Sequence, residues 1–455
     1  MQIVHSPFTA LFFRKTLLGA ASFVAAPGVA GAAGFAVEHQ NAEAMGSAYA
    51  GAQAKGGDAG FAVYNPAAIA GLDRAESSLN AAVLFGETGY SNASGALLGA
   101  FPVAGAATDD RVLPEAFITG SAFALPLGDR VTLGLTISTP FGLASEYDVT
   151  SAVRYYAQDT TLLTIAVAPT IAFKVTDRIA VGASLKIQYA DFTASTVADA
   201  GGVAFLNSIP GFLPGSSDLF LEFKADDIAI GFSAGAQVEP VDGFRLGFAY
   251  HSAIDHNLDG ETTFFTAGSP AAAILNGAVG LFADTGFNST LELPASYALG
   301  ASWDVRGRLT FLASATLTRW SVFDQTVFTF DNPAQPPEVI TSEWSDSLTL
   351  SAGAEFKASE RTALRAGFSY DETPVNDRFA GPQIPDTDRR WLLAGVSHAV
   401  SDSLSVDIAG GLVVSPKTRE VRLDGTEPGN LLRGALNADI DVNTYAASLC
   451  IKYKF

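Results

Sequence analysis

Gly231-Phe232-Ser233-Ala234-Gly235 has the G-x-S-x-G spacing. On a sharp strand-to-helix turn that spacing exposes a serine nucleophile for acyl transfer. Here the pentapeptide lies inside a stretch of alternating residues, and Ser233 shares a face with Gly231 and Gly235. A strand interior offers no such turn, so no esterase is expected. Asp439-Ile440-Asp441-Val442-Asn443 opens like a calcium loop, but Thr444 stands where glycine is needed and Cys450 where glutamate is needed. His39, His251, His256 and His398 show no metal-ligand spacing. Cys450 is the single cysteine and has no partner for an intrachain disulfide. No catalytic residue, metal or cofactor is therefore expected, and the chain reads as no enzyme. The net charge of −20 argues against a nucleic-acid partner.

These segments must ride on strands. From Tyr445 through Ala447, Leu449, Ile451 and Tyr453 to Phe455, every second residue is apolar, while Ser448, Cys450, Lys452 and Lys454 are small or charged. That period of two gives one face fit for lipid and one for water. Residues 163–175, 179–189, 228–238, 244–250 and 404–414 repeat it. The chain is 48% hydrophobic and only 16% charged, yet after the N-terminus it has no run of about 20 apolar residues for a membrane helix. This combination fits an all-β, membrane-spanning antiparallel β-barrel in a bacterial outer membrane. Six short polar turns can be counted, around Asp129, Asp177, Asp242, Gly307, Ser359 and Asp402. They join twelve strands, and one more strand at each end makes fourteen. Trp303, Trp320, Trp344 and Trp391, with Tyr155 and Tyr156, read as girdle or loop aromatics.

The first residues read as a secretory signal. Arg14 and Lys15 precede the apolar run 16–26, and Ala30-Gly31-Ala32 fits a cleavage site. The organisation expected is a signal peptide over 1–32, an Ala- and Gly-rich segment over 33–76, and a barrel over 77–455. Two long apolar connections, 191–222 and 255–292, are placed outside the cell, and 271–282 reads as a short helix.

Several segments resemble the FadL family of outer-membrane transporters for long-chain fatty acids and aromatic hydrocarbons. They are Ala33-Gly34-Phe35-Ala36-Val37, the stretch Asn41 to Gly51, Asn65-Pro66-Ala67, Ser138 to Tyr147, Leu293 to Phe323, and Arg365 to Pro374 continuing to Ile384 through Leu392. The resemblance covers nearly the whole mature chain. It implies fourteen strands around an N-terminal plug, with passive uptake of hydrophobic molecules. Ligand would be caught on the two external loops, at Phe205, Leu206, Phe212 and Leu213 and at Ile274, Leu275, Leu281 and Phe282. It would pass to a pocket at Ala33, Gly34, Phe35 and Val37. It would leave sideways through a kink in the third strand at Pro140, Phe141 and Gly142. Asn65-Pro66-Ala67 reads as a structural turn of the plug. The implied partners are a hydrophobic small molecule, outer-membrane lipid and lipopolysaccharide, with the chain acting as a monomer.

One departure bears on substrate. The family's fatty-acid members place basic residues near the pocket. Here no Lys or Arg occurs between Lys186 and Lys224 or between Arg245 and Arg306. A buried carboxylate without a cation is costly, so neutral hydrophobic molecules are the expected preference. The competing readings are a general diffusion porin for polar solutes and, behind it, an outer-membrane enzyme or an adhesin.

Overall fold

The alternation closes into a ring in a computed structural model that describes residues 34–455. The expected signal peptide, its cleavage site and Ala33 lie outside the described residues. The ring has fourteen strands. They are β1 (Glu76–Leu97), β2 (Ala116–Pro126), β3 (Val131–Ser138, then Gly142–Glu146), β4 (Asp159–Thr176), β5 (Ile179–Asp199), β6 (Asp218–Val241), and β7 (Phe244–His251, then Ile254–Phe264). The second half comprises β8 (Thr285–Leu293, then Ser296–Val305), β9 (Leu309–Thr318), β10 (Ser347–Lys357), β11 (Thr362–Asp371), β12 (Arg389–Ala399), β13 (Leu404–Val414) and β14 (Ala435–Lys454). All neighbouring strands pair antiparallel, and β1 pairs β14 from Glu76↔Lys454 to Ala96↔Ala435. Closure removes the sheet edges that lipid could not satisfy.

The two faces separate as the period of two requires. On β14, Tyr445, Leu449, Ile451 and Tyr453 are exposed on the outside, while Ser448, Cys450 and Lys452 are buried inside. Both external connections are shorter than expected. β5 runs on to Asp199 and β6 begins at Asp218, while β7 ends at Phe264 and β8 begins at Thr285. The cause is continued pairing: β6 has 24 residues, about twice what a bilayer requires. Helices α1 (Ala200–Leu206) and α2 (Pro270–Val279) occupy the remaining connections and pack together through Ala200, Ala204, Ala271, Ala272 and Leu275. Trp303 is exposed on the outer face, whereas Trp320, Trp344 and Trp391 are buried.

Residues 34–75 lie inside the ring. Wall glycines let this segment touch the strands. A Cβ on Gly367 would sit 2.1 Å from the Ser47 carbonyl oxygen, and one on Gly247 would sit 1.9 Å from that of Gln53. Asn65 is fully buried. Its Oδ1 accepts from Ala67 N at 2.9 Å, and its Nδ2 donates to the carbonyls of Gln53 at 2.7 Å and of Ala236 and Phe248 at 3.3 Å. The Asn-Pro-Ala motif is thus a turn stitched to β6 and β7. Charge fixes the other side. Glu43 meets Lys55 Nζ at 2.6 Å, Arg365 at 3.0 Å and Lys452. Lys452 also meets Asp58 at 2.5 Å and Asp407 at 3.1 Å. Buried ions need such partners, and removing one costs about 3–5 kcal/mol. The segment is therefore clamped to β11 and β14.

Candidate functional site

The strand ladder is interrupted in the middle of β3. In β3, Thr139, Pro140 and Phe141 stand between the pairs Ser138↔Ala166 and Gly142↔Leu163, so three residues oppose two on β4. Pro140 has no N–H for the ladder, and the extra residue makes a bulge. Thr164 Oγ1 repairs part of it, accepting from Phe141 N at 2.9 Å. Beyond the bulge, Gly142–Glu146 pairs only with β4, while Ala116–Gly120 of β2 pairs in the ladder only with β1. A slot is left between β2 and β3. Val112 crosses its top, accepting from Glu146 N and donating to Thr88 O, both at 2.8 Å.

The start of the inner segment fills the slot as a short strand. Gly142 N donates to Phe35 O and Val37 N to Pro140 O, both at 2.9 Å. Ala36 and Phe141 form the antiparallel bridge between them. Gln40 takes both polar groups of Thr139, donating to its oxygen at 2.7 Å and accepting from its N–H at 3.3 Å. Gly34 has φ +64°, and a Cβ there would meet Trp320 and Trp344 at 2.8 Å. Its N–H donates to Asp386 Oδ2 at 3.0 Å. This conformation turns the Phe35 ring into an aromatic nest, with centroids 4.7 Å from Trp320, 5.5 Å from Phe323, 5.8 Å from Trp344 and 6.1 Å from Phe141.

Above Phe35 lies a cavity of about 150 Å³, lined mainly by Leu143, Leu162, Phe192, Phe223, Phe328 and Trp344. It adjoins an outer chamber of about 520 Å³ between the external loops, where Leu221, Phe264, Phe282 and Phe330 take part. Tyr156, Ile340, Glu338 and Arg433 line both spaces. Among the described residues, Glu338 and Arg433 are the only charged ones on the inner cavity, and they form an ion pair with each other. On the other side of the Ala36–Phe141 bridge is a polar cavity of about 120 Å³. Lys186 Nζ there lies 2.9 Å from His251 Nδ1. Ser233 faces the same cavity from inside β6, in register with His251.

Of the residues expected in the pocket, Phe35 lines the apolar cavity. Gly34 instead borders a small recess by Leu84, and Val37 faces the polar cavity, because strand alternation turns it away from Phe35. Pro140, Phe141 and Gly142 do lie together at the break. Among the loop residues, Phe282 lines the outer chamber, and Phe205, Leu206, Leu213 and Ile274 are exposed. Phe212 and Leu281 are half-buried against the loop core. Leu275 is buried between the two helices and offers no capture surface. Sequence reasoning missed the hairpin of Gln325–Phe330 and Glu338–Thr341, which supplies Thr326, Phe328, Glu338 and Ile340 to the cavity. The signal was the crowding of Trp320, Phe323, Phe328 and Phe330 within a few residues.

The family model described as "Outer membrane protein transport protein (OMPP1/FadL/TodX)" matches residues 23–455. The chain belongs to this family. A FadL homologue of Pseudomonas aeruginosa superposes with a TM-score of 0.84 at 27% identity, covering 93% of this chain and 100% of that one. Outer membrane protein P1 of Haemophilus influenzae is 27% identical over 97% of this chain and 99% of its own length. The long-chain fatty acid transport protein of Escherichia coli O6:H1 is 24% identical over 91% and 94%. The toluene transporter TodX of Pseudomonas putida shares the fold, with a TM-score of 0.66 at 15% identity over 92% and 99%. Membership in the FadL/TodX family places the closed barrel in the outer membrane as a multi-pass protein.

Proposed function

We propose that this FadL/TodX-family barrel takes up hydrophobic molecules across the outer membrane without an energy source. Ligand collects in the outer chamber, moves into the apolar cavity above Phe35, and leaves sideways between β2 and β3 when the Gly34–Val37 tip withdraws. The observation that carries the reading is the tip itself. One short segment both floors the apolar cavity, through Phe35, and serves as the missing partner of the broken strand. A greasy solute gains about 0.8 kcal/mol for each CH₂ removed from water, so a path lined by apolar side chains and opening into lipid needs no aqueous crossing. The residues 1–32, 33–76 and 77–455 act in this reading as signal, plug and barrel. The barrel works as a monomer in a leaflet that contains lipopolysaccharide, and it carries out no catalysis.

Neutral hydrocarbons are the favoured cargo, because the charges on the inner cavity already satisfy each other. The test is uptake by cells with and without the gene, offered an alkane, a monoaromatic and a long-chain fatty acid. Expression should speed uptake of the first two more than the third. Equal stimulation by the fatty acid would reject the neutral preference, and no stimulation by any of them would reject the function.

A further inference from the structure

Arg433 sits where the outer chamber meets the apolar cavity and lines both. Its side chain is 14% exposed. Its guanidinium lies 5.8 Å from the Tyr156 ring centroid, and Glu338 is the acid paired with it. The two residues belong to different external segments. Glu338 opens the second strand of the 325–341 hairpin, and Arg433 precedes β14. Those segments are in backbone contact next to the pair: a Cβ on Gly429 would lie 2.7 Å from the Val339 carbonyl oxygen. The position of the acid is therefore set by packing, and the pair sits on the path from chamber to cavity.

We propose that Glu338 is a specificity-determining residue that keeps Arg433 from capturing carboxylates. The proposal rests on the reading that the apolar cavity is the ligand site. An arginine fork matches a carboxylate in a bidentate geometry. Left uncompensated at the neck of an apolar cavity, Arg433 would make the site a receptor for the head of a fatty acid, with the chain pointing toward Phe35. Glu338 occupies that fork from within. An incoming carboxylate must displace it and strand a second anion in a half-buried place, whereas a neutral hydrocarbon leaves the pair intact. Glu338 thus acts through Arg433 and does not itself need to touch the ligand.

The experiment uses the full-length barrel in lipid nanodiscs and reads quenching of Trp344, which lines the cavity, by a bromoalkane and a bromo-fatty acid of matched length. Trp303, exposed on the outer face, is replaced by Phe in every variant to remove quenching from the bilayer. In the parent the bromoalkane should bind more tightly. Glu338→Gln should tighten the bromo-fatty acid tenfold or more and leave the bromoalkane within about twofold. Adding Arg433→Met should abolish that gain. If Glu338→Gln leaves the ratio of the two affinities unchanged while the bromoalkane still binds, the specificity role is overturned and the cavity reading stands. If the bromoalkane does not quench the parent, the cavity reading itself fails.

Discussion

Replacing Phe35 by Ala tests the plug tip as a local switch. The ring is 1% exposed and touches four other aromatic rings. Removing a buried phenyl group costs about 3–5 kcal/mol. The rest of the plug is held elsewhere, by the Glu43 cluster and by Asn65. The loss therefore falls on the tip, whose remaining ties are the backbone bonds from Val37 to Pro140 and from Gly142 to Phe35 and the bond from Gly34 N–H to Asp386. Each of the backbone bonds is worth about 1 kcal/mol net. Taking about 3 kcal/mol, the ratio of open to closed tip rises roughly a hundredfold. Amide hydrogen exchange reads this directly, since the Val37 and Gly142 N–H groups are protected only while the tip is in the slot. Their exchange should quicken roughly a hundredfold in Phe35→Ala, while the β4–β5 ladder stays unchanged. Unaltered exchange at both amides would refute the idea that ring packing holds the slot shut.

The other predictions concern the same parts. Gly34→Ala combines a left-handed φ of +64° with contacts of 2.8 Å to two indoles, so the near-ultraviolet circular dichroism of the Trp320–Trp344 pair should change while the far-ultraviolet strand signal does not. Glu43→Gln removes the acid shared by Lys55, Arg365 and Lys452. It should loosen the plug by about 3–5 kcal/mol, seen as ion leakage in planar bilayers above the level of the parent. The same cluster sets a pH limit. Burial pushes the Glu43 carboxyl up, but Arg365, Lys452 and Lys55 outweigh it and hold the group well below its usual 4.5. A lowered folded-state value means the clamp is complete above about pH 4.5 and is lost only as pH falls through the lowered value. Leakage should therefore stay at its neutral-pH level at pH 5 and rise only in stronger acid. Asn65→Ala removes a turn cap and contacts to three carbonyls and should cost about 2 kcal/mol, read as a lower Tm.

The strands, their facing and the six turns were legible because a wall between lipid and lumen imposes a strict period of two. Cys450 and Lys452 could be assigned inward from that period alone. The break at Pro140 came from the family resemblance and not from proline alone, since Pro169 sits in an unbroken ladder opposite Leu135. The cavity wall was not legible. Phe192 and Phe223 lie on strands that continue past the membrane, where inward apolar residues look like ordinary lipid-facing ones in a one-dimensional pattern. The Glu338–Arg433 pair joins residues 95 apart in sequence, and no local spacing announces it. Lys186 and Arg365 are inward cations, but they are engaged with His251 and with the Glu43 cluster, respectively. Val37 was misplaced because its motif marks a segment, whereas alternation decides which cavity each side chain enters.

On the proposed route, cargo leaves through the slot the plug tip fills. Ala36 and Phe141 face each other between two flanking backbone hydrogen bonds, the cross-strand position where Cβ atoms come within about 4.5–5.5 Å and a disulfide fits. The native Cys450 is buried and can be replaced by Ser as background. The decisive measurement is uptake of a labelled hydrocarbon by cells expressing Ala36→Cys with Phe141→Cys, before and after reduction. The oxidised protein should be inactive, and reduction should restore uptake to the level of the single-cysteine controls. Full uptake with the cross-link verified intact would contradict lateral exit through this slot.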